Sequence, residues 1–447
     1  MTDRAPFSTG CSTPGPTLAD GDGFTADTVW NLLSLTAQVA AGACLTIGVY
    51  FMFGSAPLGV FNQLYAIFAI SGQLFVFGLN DSALKHSAQH LENRRQSDLM
   101  LETGLRLAAC GGAVGMAAIL AFAAIGGEAL FGENVRQGLF FVGPAILLFV
   151  VNKALFGFLN GRRWFGRFAL VQAVRAMVLT ACVFAVLGAG AGPQYLGLCF
   201  GVTEAIVLLI NWDLIRDAIR LGAERRLGAD GFREWTRTHL SFGMRSMPHG
   251  FLSETFIRVD IVILMMFVDD ATVGVYSFAA FFIEGIYQLP VVIRNITNPR
   301  LVPVFATRAG DAFRRLLIRS GGVSVLLTGA ATLALLVLAP LIESFVAVPE
   351  FDTVYGVLLV VLPALVFYAF SVPFDYAILQ AGRPGLQSLF MILATGLNVI
   401  GNLVLIPDYG LSGAAMATAI AMVGTSLCLW GILLGTFRIP SWPRTGD

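Results

Sequence analysis

The sequence contains LGVFNQLYAIFAISGQLFVFGLN at 58–80 and VGVYSFAAFFIEGIYQLPVVIRN at 273–295, two apolar stretches that align with each other without a gap. Each is long enough to cross the roughly 30 Å hydrocarbon core of a bilayer as a single helix. Such a helix, present twice in one chain, indicates an all-α membrane protein with an internal duplication. The identical pairs include Gly59 and Gly274, Gln73 and Gln288, Leu74 and Leu289, and Asn80 and Asn295.

The overall composition also indicates a chain that lies mostly in the membrane. Of its 447 residues, 56% are hydrophobic and 13% are charged, and the mean hydropathy is +0.77, which is too apolar for a soluble protein of this length. Lys+Arg and Asp+Glu are equal at 28 each, so net charge gives no reason to expect a nucleic-acid partner. The partner to expect from composition is the lipid bilayer.

Twelve spanning helices are predicted from stretches of roughly 20 mostly apolar residues. Nearly all of the 28 Lys and Arg residues then fall in loops and tails on one side, whereas Arg136 is the one that falls in an outer loop. By the positive-inside rule, both termini of this multi-pass protein are predicted to be cytoplasmic, in a bacterial inner membrane. The predicted spans are 30–52, 58–80, 104–126, 138–158, 167–189, 195–214, 241–266, 272–293, 320–342, 355–378, 385–406 and 411–436.

Two further matches extend the duplication over both halves of the chain. Pro144-Ala145 matches Pro363-Ala364, and Gly161-Arg162 matches Gly382-Arg383, so span two corresponds to span eight and span four to span ten. Six helices per repeat predict two six-helix lobes related by an axis along the membrane normal. Chance similarity between apolar helices rich in Gly and Pro stays open as the alternative. The predicted parts are a disordered tail 1–27, a lobe 28–214, a cytoplasmic linker 215–240, a lobe 241–437 and a tail 438–447.

Four basic residues fall inside predicted spans, where each costs roughly 2.5–3.5 kcal/mol and therefore needs a cavity or a partner. Lys153, Arg175 and Arg245 lie in the cytoplasmic half of their spans, where they could bind a phosphate group arriving from the inner leaflet. Arg258 lies deeper and is a candidate second contact. The alternatives are that Lys153 and Arg175 extend to the inner interface, and that Arg258 pairs with Glu254 four residues before it.

Four carboxylates, Asp81, Glu204, Asp260 and Glu284, are candidates to bind a coupling proton or cation. Structural pairing is the alternative for each of them.

His86 and His90 have the i, i+4 spacing of a metal pair, but they lie on a charged extension of span two, which favours a solvated face. The sequence has no nucleotide-binding or hydrolase motif, so we expect neither a cofactor nor a metal, and no enzymatic activity.

Three stretches of this sequence resemble one known family. They are LNVIGNLVLIPDYGLSGAAMATAIA from Leu397, RVDIVILMMFVDDATVGVYSFA from Arg258, and LGVFNQLYAI from Leu58. They are similar to polysaccharide-biosynthesis flippases of the multidrug/oligosaccharidyl-lipid/polysaccharide (MOP) exporter superfamily. The resemblance implies two six-helix lobes around a central cavity, and flipping of an isoprenoid-diphosphate-linked oligosaccharide to the periplasmic leaflet by alternating access. It implies a role in making O-antigen or exopolysaccharide, with a polysaccharide polymerase and export machinery as partners.

Two alternatives to this function stay open. A cation-coupled exporter of small organic cations would belong to the same superfamily, and its cavity would favour carboxylates and aromatic rings over Arg and Lys. A membrane-embedded glycosyltransferase, polymerase or ligase would need a sizeable catalytic loop, and the sequence shows none. Family members place their basic residues differently, so the resemblance assigns no role to a particular basic residue here.

Overall fold

The computed structural model describes residues 21–91, 93–126, 131–216, 229–307 and 309–437. These residues form helices and short connections, and no strand occurs among them, which confirms the predicted all-α class. Most of the predicted tail 1–27, part of the predicted linker and the whole of the predicted tail 438–447 lie outside the described residues.

The first lobe consists of helices that follow predicted spans one to six closely. Within it, α2 and α3 are separated by Phe77 and Gly78, both in the left-handed region, with φ of 51° and 66°. A single 3₁₀ turn, Pro193–Tyr195, precedes the last helix. The helices are α1 (Gly21–Phe53), α2 (Ser55–Val76), α3 (Leu79–Gln89), α4 (Arg94–Ile125), α5 (Glu133–Gly161), α6 (Phe165–Gly188) and α7 (Leu196–Ile210).

The second lobe repeats this arrangement with helices of different lengths. A π-helical turn, Leu317–Gly321, precedes α11, and a 3₁₀ turn, Val372–Phe374, follows α12. The helices are α8 (Ala229–Leu264), α9 (Asp270–Thr307), α10 (Gly310–Leu316), α11 (Gly322–Glu343), α12 (Phe351–Ala369), α13 (Ala377–Gln380) and α14 (Pro384–Phe437).

Among the described residues, ten helices are long and apolar enough to cross a membrane. The difference from twelve has two causes. Helix α14 has non-helical dihedral angles at Gly410, and this break separates predicted span eleven from predicted span twelve. Helix α8 contains predicted span seven, but charged residues such as Arg245, Glu254 and Arg258 make it too polar to qualify by composition.

The outward faces of the helices are apolar, as a lipid environment requires. On α11, Leu326 and Leu333 are 70% and 65% exposed. In water each such side chain would lose about 1.5–3 kcal/mol relative to burial, whereas hydrocarbon imposes no such cost. The lobes therefore present an apolar surface to the bilayer and keep their polar side chains inside.

The lobes meet at both ends of the molecule. At the outer end, the end predicted to be periplasmic, α2 packs against α9 so closely that a methyl group on Gly59 would overlap the Asp270 carbonyl oxygen. At the inner end, predicted to be cytoplasmic, Gly78 packs against Gly243 of α8. Residues Gly59 and Gly274, which the duplication matches to each other, are in direct contact, as expected near an axis that relates two repeats.

Candidate functional site

A cavity of about 540 Å³ lies between the two ends, at the junction of the lobes. Its walls come from α1, α2, α6 and α7 of the first lobe and from α8 and α9 of the second. The charged lining residues are Arg175, Glu204, Arg258 and Glu284. The carboxamide lining residues are Gln38, Asn62, Gln172 and Gln288.

Each arginine that lines the cavity is held by a carboxylate. Arg175 Nε on α6 donates to Glu204 Oε1 on α7 at 2.7 Å, and Glu204 also accepts from Asn152 Nδ2 at 2.8 Å. Arg258 Nε donates to Glu254 Oε1 at 2.8 Å, so the predicted pairing of these two residues is confirmed. Both arginines therefore lie at the cavity wall in a paired state.

The remaining two basic candidates lie elsewhere. Lys153 is on α5 and is absent from the cavity lining, although its Nζ lies 5.3 Å from the centroid of the Phe149 ring, and Arg175 Cζ lies 5.2 Å from the same centroid. Arg245 is exposed and donates through Nε to the carbonyl oxygen of Ser241 on its own helix at 3.0 Å. The structure therefore keeps Lys153 close to the cavity wall but does not bring Arg245 to it, because the exposed Arg245 side chain bonds within its own helix and does not line the cavity.

The four carboxylate candidates have different surroundings. Glu284 faces the cavity and has no hydrogen-bond partner among the described residues. Asp260 is buried behind the wall, where its Oδ2 accepts from the hydroxyl of Tyr276 at 2.6 Å. Asp81 lies on α3 and accepts from Asn80 Nδ2 at 2.8 Å, and Glu204 is the partner of Arg175.

The histidine pair lies on a partly exposed face of α3. His86 and His90 each pack edge-on against the Trp235 ring of α8, with centroids 5.6 Å apart in both cases. Both side chains are half-buried and the neighbouring Lys85 and Gln89 are exposed, so the predicted face is solvated in part and covered in part by α8. Within the described residues no group of three His, Cys, Asp or Glu side chains could hold a metal.

A third histidine at this contact, His239 of α8, was not singled out from the sequence. Its ring is fully buried and forms hydrogen bonds with Ser82 Oγ at 2.8 Å and with the Met100 carbonyl oxygen at 3.2 Å. Burial lowers the pKa of His239 from its ordinary 6.5 to about 4, so it is neutral at physiological pH. This histidine thus joins the two lobes at the inner end.

The carboxamides of the cavity were also missed by reasoning that looked only for charge. One signal was available, because Gln288 lies in an apolar span and matches Gln73 in the duplication. The two matched residues have separated roles: Gln288 lines the cavity, whereas Gln73 packs beside Gly250 of α8. Polar residues without charge are as informative in a membrane span as charged ones, since both need a partner there.

No protein-family model matches the chain, and no curated protein matches it by sequence. Solved structures do match over nearly its whole length. A lipid II flippase, MurJ, in an inward-closed conformation gives a TM-score of 0.68 at 17% identity, over 94% of this chain and 88% of that one. An inward-facing multidrug resistance MATE family transporter of the MOP superfamily gives 0.67 at 14% identity, over 94% and 96%. A Pyrococcus furiosus MOP superfamily transporter, whose binding pocket has reverse polarity, gives 0.58 at 17% identity, over 95% and 96%.

At these identities the similarity shows the fold alone. The chain has the two-lobed fold of MOP superfamily transporters, and the proteins with which it shares this fold are transporters and flippases rather than enzymes.

Proposed function

We propose that this protein is a flippase that moves an isoprenoid-diphosphate-linked oligosaccharide from the cytoplasmic to the periplasmic leaflet of a bacterial inner membrane, for surface polysaccharide synthesis. The observation that carries the proposal is the cavity between the lobes, which is lined by four charged and four carboxamide side chains and lies between interlobe contacts at the two ends of the molecule. A headgroup with charges and hydroxyl groups cannot cross hydrocarbon unaided, and such a chamber supplies the polar partners that it needs. The likeness to a lipid II flippase supports the same class of substrate.

In this proposal the diphosphate meets Arg175 and Arg258 at the cavity wall, with Lys153 close behind Arg175. Guanidinium groups suit phosphate oxygens because they donate parallel hydrogen bonds. Arg245 has no part in this contact, since it does not line the cavity. A polysaccharide polymerase and export machinery are the proposed partners on the periplasmic side.

For coupling to an ion gradient we propose Glu284 and Asp260 ahead of Asp81 and Glu204. Glu284 faces the cavity and has no hydrogen-bond partner among the described residues, and Asp260 lies at the junction of α8, α9 and α14 through Tyr276, whose hydroxyl is 3.2 Å from Thr418 Oγ1. Glu204 is already engaged by Arg175.

A second candidate function is export of small organic cations. The observation that favours it is Glu284, an acidic side chain in the cavity with no hydrogen-bond partner among the described residues. The likeness to multidrug transporters of the same superfamily supports it too.

The two functions separate in proteoliposomes that contain the purified protein. We expect the wild type to move a fluorescent polyprenyl diphosphate–N-acetylhexosamine between leaflets, and the Arg175→Gln and Arg258→Gln variants to do so at least tenfold more slowly. Arg245→Gln is the matched control and should keep the wild-type rate. Movement of ethidium without movement of the lipid would assign the protein to the exporters instead.

A further inference from the structure

The charges on the cavity wall already balance. Two arginines, Arg175 and Arg258, face two carboxylates, Glu204 and Glu284, and Arg258 has Glu254 as its direct partner behind the wall. A diphosphate that enters must compete with carboxylates at 2.7–2.8 Å for each guanidinium group. The attraction of the arginines for a diphosphate is offset by the carboxylates that already bind them. Charge alone therefore gives this cavity little preference for a dianion.

The cavity also carries uncharged hydrogen-bonding groups that the protein leaves open. The side chains of Gln172 on α6 and Gln288 on α9 line the cavity, and neither has a hydrogen-bond partner among the described residues. Tyr65 on α2 also lines the cavity, and its hydroxyl group has no hydrogen-bond partner among the described residues. A carboxamide both donates and accepts, which is what the hydroxyl groups of a sugar require. These groups come from both lobes, so one polyhydroxylated ligand could bridge the lobes.

One aromatic ring of the cavity, that of Tyr65, already carries a cation. Arg258 Cζ lies 4.3 Å from the Tyr65 ring centroid, whereas Arg175 and Lys153 lie over Phe149, which does not line the cavity. The protein's own Arg258 therefore occupies the Tyr65 ring face, which would otherwise attract a foreign cation. This favours a neutral ligand beside Tyr65.

We propose that the cavity recognises the glycan of its substrate more than the diphosphate, through a sugar subsite formed by Gln172, Gln288, Glu284 and the Tyr65 hydroxyl. Glu284 accepts a hydrogen bond from a hydroxyl group of a neutral pyranose, and the two carboxamides donate to and accept from neighbouring hydroxyls. The inference rests on the proposed flippase function and adds to it the part of the substrate that sets specificity.

The test compares two probes, bare polyprenyl diphosphate and the same lipid bearing one N-acetylhexosamine, for binding to the purified full-length protein in nanodiscs and for flipping in proteoliposomes. With two or more added hydrogen bonds of about 1 kcal/mol each, the glycosylated lipid should bind at least tenfold more tightly. The double variant Gln172→Ala/Gln288→Ala should lose this preference and keep its affinity for the bare lipid. Gln137→Ala, a carboxamide on the outer surface of α5, is the matched control and should behave as the wild type.

The outcomes separate the subsite from the function. If the wild type binds and flips both lipids equally well, the sugar subsite is wrong while the flippase function stands. In a double variant whose thermal unfolding midpoint matches that of the wild type, an equal loss of affinity for both lipids would also overturn the subsite, because the two carboxamides would then not distinguish the glycan. Failure to flip either lipid would refute the function on which the subsite rests.

Discussion

Arg175 and Glu204 form a pair of opposite charges in the membrane interior, and their burial is unequal. The Glu204 side chain is 2% exposed, whereas that of Arg175 is 23% exposed. Replacing Arg175 by Met should therefore leave a buried carboxylate without its cation, a change that costs about 3–5 kcal/mol in soluble proteins. We expect a clear fall in the thermal unfolding midpoint of the detergent-solubilised Arg175→Met variant, measured by scanning fluorimetry.

The double variant Arg175→Met/Glu204→Met should recover most of that loss, because an apolar pair replaces an ion pair of similar volume. Arg245→Met is the matched control, since its guanidinium is exposed, and it should change stability by less than about 0.5 kcal/mol. A single variant as stable as the control would mean that the pair contributes nothing to the fold.

The sequence alone predicted one of the two ion pairs at the cavity, that between Glu254 and Arg258. Glu254 and Arg258 lie four residues apart on one helix, so helical geometry alone brings them together. Arg175 and Glu204 lie on α6 and α7, and only tertiary packing joins them. The same limit explains why Glu204 was considered for ion coupling: its partner is invisible in a linear sequence.

At the scale of elements, α8 joins the two lobes, and its histidine makes the inner contact sensitive to pH. The pKa of His239 falls to about 4 in the closed contact and should return to about 6.5 when the ring is released. The contact is thus fully stable above pH 6.5 and loses about 2 kcal/mol at pH 5, because only the released state takes up a proton there. Hydrogen–deuterium exchange of α3, corrected for intrinsic rates, should rise between pH 7 and pH 5.

The His239→Gln variant keeps a hydrogen-bonding side chain but cannot take up a proton in this range, so exchange of α3 should depend on pH less than in the wild type, with the remainder due to His86 and His90 at the same contact. Wild-type exchange that stays constant down to pH 5 would show that the buried imidazole does not control the contact.

Helix α8 is also where hydropathy alone is a poor guide. Its Glu254 and Arg258 pair with each other and its Asp260 accepts from Tyr276, which lets a polar sequence occupy a position in a membrane bundle.

For the whole molecule, the internal duplication also indicated where the two lobes meet. The gapless match between spans two and eight paired Gly59 with Gly274, and the structure brings these two residues into contact at the outer end. A sequence repeat can indicate a symmetry axis, and residues near that axis meet their own counterparts. The cavity could not be derived in this way, since its lining combines residues of six helices that the repeat does not match to each other, such as Gln172 and Gln288.

The outer contact makes a last prediction about alternating access. Any side chain at position 59 would overlap the main chain of α9 at Asp270, so Gly59→Ala should hold the lobes apart at the outer end. Spin labels at Tyr195 and Phe345, both exposed at that end, should report a longer distance in the variant by pulsed electron paramagnetic resonance. Gly356→Ala is the control, because a methyl group there has no neighbour within 4 Å. An unchanged distance in Gly59→Ala would show that the backbones adjust locally and that this contact does not determine how closely the lobes approach.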